Sequence, residues 1–123
     1  MATLTTAARN AACDAIVDLV DAGSGAGQII LQTGGAAEVA TLAMSDPAFG
    51  DASTGVATAS SITDDSSATG GTMAQFVMED SDGNDVITGS VGTSGADINF
   101  NTVTVGAGST VSITSLTVTV PAS

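Results

Sequence analysis

The chain has 123 residues, 43% of them hydrophobic, and sets thirteen acidic side chains against a single basic one, Arg9, for a net charge of −12 with no histidine. That length and apolar content suffice for one folded domain with a modest core and argue against intrinsic disorder. The charge argues against nucleic acid as a partner, since phosphates need cations to displace their counterions, and against an anionic membrane surface.

The acids are spread along the chain in ones and twos, which reads as a solvated surface that repels non-specific association. The N-terminal "MATLTTAARN" lacks a basic segment followed by an apolar run, so no secretory signal is expected. No window is apolar for long enough to cross a bilayer. A soluble protein made in a cytoplasm is expected, folded as a single domain over 1–123 with a helix at about 5–21 and a β region at about 28–121.

The helix comes from "TTAARNAACDAIVDLV", residues 5–20, where Ala8, Ala12, Ile16, Leu19 and Val20 recur at helical spacing. Thr5 or Thr6 supplies the N-cap, and Gly23 stands soon after the end. Asp14, Asp18 and Asp21 fall on the opposite face. They repel one another and lie toward the negative end of the helix dipole, so the helix needs a sheet or partner to hold it. The expectation for this stripe is a solvated face rather than a cation site.

Cys13 is the lone cysteine and so forms no internal disulfide. Within "AACDAI" it reads as a buried small apolar residue, because a nucleophile would need a base and histidine is absent. Gly23, Gly25 and Gly27 in "DAGSGAGQII" suggest a phosphate loop at first sight. The segment runs from helix into strand, the reverse of the order that aims a helix N-terminus at phosphate, and no lysine follows.

Beyond Gly23 the pattern becomes short β-prone runs broken by Gly, Ser, Asp and Asn, the signature of an all-β sandwich or barrel. The fold class expected is mainly β: an antiparallel sandwich or jelly-roll-like barrel with the one N-terminal helix packed on it. The strands are "QIILQT", "EVATLAM", "GVATAS", "TMAQFVMED", "DVITGSV", "DINFN", "TVTVG" and "TVSITSLTVTV". In "TMAQFVMED", Ala74, Phe76 and Met78 face one way and Met73 and Val77 the other. That strand should be central, with the helix as a cover for one face.

Two acidic stretches test for chemistry. In "ITDDSSATGG" the adjacent Asp64 and Asp65 would point apart in an extended chain, a poor acid and base pair in a loop-forming context. In "EDSDGNDV", Asp80, Asp82 and Asn84 alternate as ligands do at the start of a calcium loop. The sixth and twelfth positions of an EF-hand loop would be Asp85 and Val91, where glycine and a bidentate glutamate are needed. Two readings stand, a hairpin turn at "SDGN" and a weak calcium site at Asp80, Asp82 and Asp85, and the residue types favour the turn. Without His or Lys no serine has its usual activating base, so neither catalysis nor a cofactor is expected and no catalytic, cofactor-binding or metal residues are assigned.

The C-terminal run changes phase. Val111 and Ile113 occupy odd positions, Leu116, Val118 and Val120 even ones, so a bulge or bend is expected near Ser115 and Leu116, where the strand passes between sheets.

Four long phrases, "TTAARNAACDAIVDLVDAGSGAGQI" (5–29), "DPAFGDASTGVATA" (46–59), "SVGTSGADINFN" (90–101) and "VSITSLTVTVP" (111–121), resemble a family of small proteins encoded among the structural genes of tailed bacteriophages. The resemblance covers nearly the whole chain and brings no catalytic residues. It implies a virion component, in particular a head decoration or cement protein on the exterior of the head. The partners it implies are the major capsid protein and further copies of the chain, with a trimer as one arrangement. The rival expectation is a tail fibre, spike or other tail-associated adhesion module. Such modules favour aromatic platforms for glycans, and this chain has three Phe and neither Trp nor Tyr.

Overall fold

The structure, a computed structural model, describes residues 2–123. In chain order its elements are α1 (Thr6–Asp18), continued by a 3-10 turn (Leu19–Asp21), then β1 (Gln28–Gln32), β2 (Glu38–Ala43), β3 (Val56–Thr58), β4 (Gly71–Thr72), β5 (Gln75–Glu79), β6 (Asp85–Gly92), β7 (Ile98–Asn99), β8 (Thr104–Val105) and β9 (Thr117–Thr119). The protein is mainly β with one N-terminal helix, as its sequence implies.

One five-stranded sheet, in the order β2-β1-β5-β6-β7, curls into a half-barrel, and two-stranded ladders β3-β9 and β4-β8 complete the β structure. β5 lies between β1 and β6, the central position its apolar sequence calls for. Period-2 alternation sends Ile29, Leu31, Phe76 and Met78 inward, with Ile29 opposite Met78 and Leu31 opposite Phe76. Leu42 of β2 faces Ile29 and joins the same core. Each such aliphatic side chain contributes about 1.5–3 kcal/mol on burial.

One pairing departs from the antiparallel rule. β6 and β7 run parallel, Val91 beside Ile98 and Gly92 beside Asn99. Parallel neighbours normally need a crossover of a dozen or more residues. Here the chain coils tightly between them, held by Asp97, whose carboxylate accepts the Ser90 N–H at 2.9 Å, and by Asn99, whose Oδ1 accepts the Ala96 N–H at 3.0 Å.

The stretch 72–80 is not one strand. The backbone breaks at Met73 and Ala74, where the Met73 N–H turns to the Val103 carbonyl and the Ala74 N–H to Gln32. Met73 is consequently buried against a different neighbour from Val77, and Ala74 is exposed rather than inward beside Phe76.

The helix also takes a different place from the one expected. It packs on β3 and β9 rather than on β5, and it turns inward Cys13, Val17 and Val20: Cys13 and Val20 are buried as their sequence implies, whereas Ala8, Ile16 and Leu19 are exposed. Thr5 is its N-cap, accepting from the Ala8 N–H at 3.2 Å. The physical reason for the rotation is polar. Asn10, Asp14 and Asp21 follow one another along the helix and reach the backbone N–H groups of Gly55 (2.8 Å), Ala52 (2.7 Å) and Ala48 (3.0 Å) in the loop running past it in the opposite direction. On the other side the Arg9 Nε donates to the Val120 carbonyl at 2.8 Å. A row of three hydrogen bonds on one side, two of them to carboxylates, and the charged Arg9 bond on the other therefore fix which face lies inward. Only Asp18 of the acidic stripe is left exposed and without such a partner.

The C-terminal phase change is present. Val111 pairs with Asp65 in an isolated bridge, the chain bends at Thr114, and β9 then pairs with β3, with Leu116, Val118 and Val120 half-buried.

Candidate functional site

The stretch 79–86 forms a hairpin joining β5 and β6, closed by the Asp80 N–H donating to the Asn84 carbonyl at 3.0 Å. Gly83 adopts φ of 86°, the left-handed conformation that such a tight turn demands and glycine takes without strain. Asp80 is only 5% exposed. One of its carboxylate oxygens accepts the N–H groups of Asp82 and Asn84, each at 2.9 Å, and the other accepts from the Asn84 side-chain amide at 3.1 Å. These bonds, those from Asn84 above all, hold the Asp80 carboxyl below its ordinary pKa. Asp82 and Asp85 are exposed, and among the described residues no three His, Cys, Asp or Glu side chains converge as a metal site would require. Asp80 is therefore the internal brace of the turn.

Asp64 and Asp65 do diverge. Asp64 is exposed, whereas the Asp65 carboxylate accepts the Thr41 N–H at 2.8 Å and the Ser67 N–H at 2.9 Å. The second bond is an Asx turn, legible in "DSS" from the affinity of Asp for the N–H two residues on. The first ties the loop to the edge of β2 and has no local signal. Glu38 was equally silent in sequence: its carboxylate accepts from the hydroxyls of Thr41 and Thr69.

Gly23 and Gly27 lie where the chain crosses from helix to sheet. A Cβ on Gly23 would strike the Ser81 side chain, and one on Gly27 would strike the Glu79 carbonyl and Val20. The Gly25 N–H donates to Ser81 Oγ at 3.2 Å, so this glycine-rich segment is packed against the hairpin. Cys13 is fully buried, its Sγ donating to the Val118 carbonyl at 3.3 Å.

The electrostatics therefore have one recurring motif. Asp14 and Asp21 of the helix and its 3-10 extension, Asp65, Asp80 and Asp97 all use their oxygens to terminate backbone N–H groups. Asp21 does so at a cost: desolvation raises its pKa first of all, the Ala48 N–H works in the opposite direction, and the charges of Asp46 and Asp18 raise it further.

Open grooves mark the surface. One lies on the outer face of the half-barrel, where Ile30, Gln32, Gln75, Val77 and Thr88 form its floor. Its amides are paired within the sheet, Gln28 with Glu79 at 2.6 Å and Gln75 with Gln32 at 3.0 Å. A second lies between residues 97–100 and 112–117, and a third is formed chiefly by 100–106 and 109–112. Their linings are mostly hydroxyls, amides and aliphatic carbon, with the carboxylates of Asp97 in the second groove and of Glu79 and Asp85 in the first. No family model, curated protein or solved structure matches the chain.

Proposed function

We propose that the protein is a non-enzymatic structural component of a tailed-bacteriophage virion, specifically a head decoration protein that docks on the outside of the expanded shell and cements it. The observation that carries this reading is the resemblance of four long phrases at 5–29, 46–59, 90–101 and 111–121. Their arrangement in space supports it. The helix of the first phrase is bonded to Ala48, Ala52 and Gly55 of the second and to Val118 and Val120 of the fourth, and the third and fourth line one groove together. The phrases thus make up one continuous half of the molecule.

The charge agrees with an external position, because packaged DNA would repel a body carrying −12. Cementing is then a linkage effect: a protein that buries surface available only on the expanded shell stabilises that state by mass action, by about 2.7 kcal/mol per site at a hundredfold excess over Kd. The partner is the major capsid protein, met by an apolar and hydroxyl-rich surface.

Copy number tests the proposal. Quantitative mass spectrometry of purified virions should give a ratio to the major capsid protein near a simple fraction of one. A ratio matching tail-tip proteins would replace decoration by a tail fibre or spike role, and absence from virions would overturn both.

A further inference from the structure

Residues 97–106 and 109–117 run back along each other as two arms, joined by a turn in which the Ser109 N–H donates to the Gly106 carbonyl at 3.1 Å. Beyond that turn, and among the described residues, no hydrogen bond joins the arms. Each pairs away from the other instead. The first bonds β6 through Ile98 and Asn99 and β4 through Thr104 and Val105, while the second bonds Asp65 through Val111 and β3 through β9. The groove between 97–100 and 112–117 and the groove between 100–106 and 109–112 meet at Phe100 and Ser112, so a continuous slot separates the arms.

The walls of the slot are unpaired backbone. The Phe100 N–H donates to the Gly92 carbonyl at 2.9 Å, so alternation turns the backbone N–H and carbonyl of Asn99 toward the slot, where β7 is the last strand of its sheet. On the facing wall Val111 exchanges two bonds with Asp65, at 2.8 and 3.0 Å, which turns Ser112 the other way. No backbone group of Ser112, Ile113, Thr114 or Ser115 has a hydrogen-bond partner among the described residues. Beneath them Phe100, Ile113 and Leu116 are half-buried against the core. Asp97 is the one charged residue of the lining, and its carboxylate already accepts from the N–H and the hydroxyl of Ser90.

We propose that the slot takes an added β-strand, an extended segment of the major capsid protein that pairs with both arms and sets alternate apolar side chains on Phe100, Ile113 and Leu116. Donors and acceptors on two facing walls above an apolar floor select an extended polypeptide, which offers N–H and C=O on both edges and side chains alternating up and down. Charge and pairing decide its source. A second copy would bring −12 against −12, and each of its nine strands is already paired within its own ladders, which leaves none to lend. The uncharged slot asks for an uncharged, alternating segment rather than a basic one. The capsid protein as donor rests on the function proposed above, and the slot adds to it the place where the shell is gripped.

The test is hydrogen–deuterium exchange on the intact protein, free and bound to purified expanded shells that lack it, with co-sedimentation recording binding separately. The amides of Asn99 and of 112–115 should exchange fast in the free protein and slow by roughly tenfold or more on shells. Ser112→Pro deletes a donor that the free fold does not use and should weaken shell binding by roughly tenfold, since it leaves a carbonyl of the incoming strand unpaired. Ser112→Ala keeps that donor and should bind as the parent does. Binding to shells with exchange at 112–115 unchanged overturns the slot and leaves cementing in place, whereas failure to co-sediment overturns both. Protection of 112–115 in the free protein that disappears on dilution would assign the slot to a second copy and overturn the proposal as well.

Discussion

Asp80 and Asp21 are both aspartates bonded to backbone N–H groups, yet their environments shift them in opposite directions. Asp80 has its pKa lowered by Asn84, so its stabilisation is complete above the ordinary value of 3.8 and is lost as pH falls through the lowered folded value. Asp21 has its pKa raised, chiefly by desolvation, so its contribution is complete below 3.8 and is lost as pH rises through the raised folded value. The same substitution should therefore have opposite effects at the two sites. Asp80→Asn replaces an acceptor of three donors by a group with one acceptor oxygen and should lower Tm at pH 7. Asp21→Asn keeps an acceptor for the Ala48 N–H and removes the repulsion from Asp46 and Asp18, so its Tm at pH 7 should equal or exceed that of the parent, an advantage gone by about pH 3. Thermal melts at the two pH values check both, and a gain from Asp80→Asn at pH 7 would sink the account of the turn. Asp82→Ala, at the exposed tip, should change Tm little. Sequence showed that 81–84 turns, because Asp-Gly has local conformational meaning. It did not show which acid faces inward, because that depends on donors folded around it.

At the scale of elements, the sheet was legible where alternation was strong and illegible where the chain bends within a run. Phe76 and Met78 are inward as their spacing implies, and the phase change after Ile113 marks a real bend. The break at Met73 and Ala74 left no trace, since its cause is the Val103 carbonyl thirty residues on. The helix shows the same limit from another side. It carries apolar residues on two arcs, and the one chosen for the core was set by loop amides at 48, 52 and 55 that periodicity does not report. A cross-strand pair gives the sharpest prediction at this level. Phe76 sits opposite Gly89, and a Cβ on Gly89 would come within 2.6 Å of its ring and of the Asp97 carboxylate. Phe76→Ala should cost about 3 to 5 kcal/mol by denaturant titration, the range for truncating a buried aromatic. Gly89→Ala should cost about 1 to 3 kcal/mol by overpacking the same spot. The double variant should fall short of the sum, because removing the ring clears the space the methyl needs.

For the whole molecule, the internal use of five aspartates alters what the net charge of −12 can do. Each of those carboxylates is fixed on backbone N–H groups, so a chelator should leave Tm unchanged, and a large drop would restore a metal to the account of the hairpin. Arg9, the sole basic side chain, is likewise fixed on Val120. Docking through ion pairs would therefore have to draw its cations almost entirely from the partner. An apolar and hydroxyl-rich contact predicts a definite response to salt. Copies bound side by side on a lattice repel one another, and the screening length shrinks from about 30 Å at 0.01 M salt to about 8 Å at 0.15 M. Occupancy of expanded shells, measured by co-sedimentation with a fixed excess of free protein, should hold steady or rise over that range. A steep fall would mean that basic patches on the shell capture the acidic surface, and cementing would then rest on electrostatic attraction rather than on burial of apolar area.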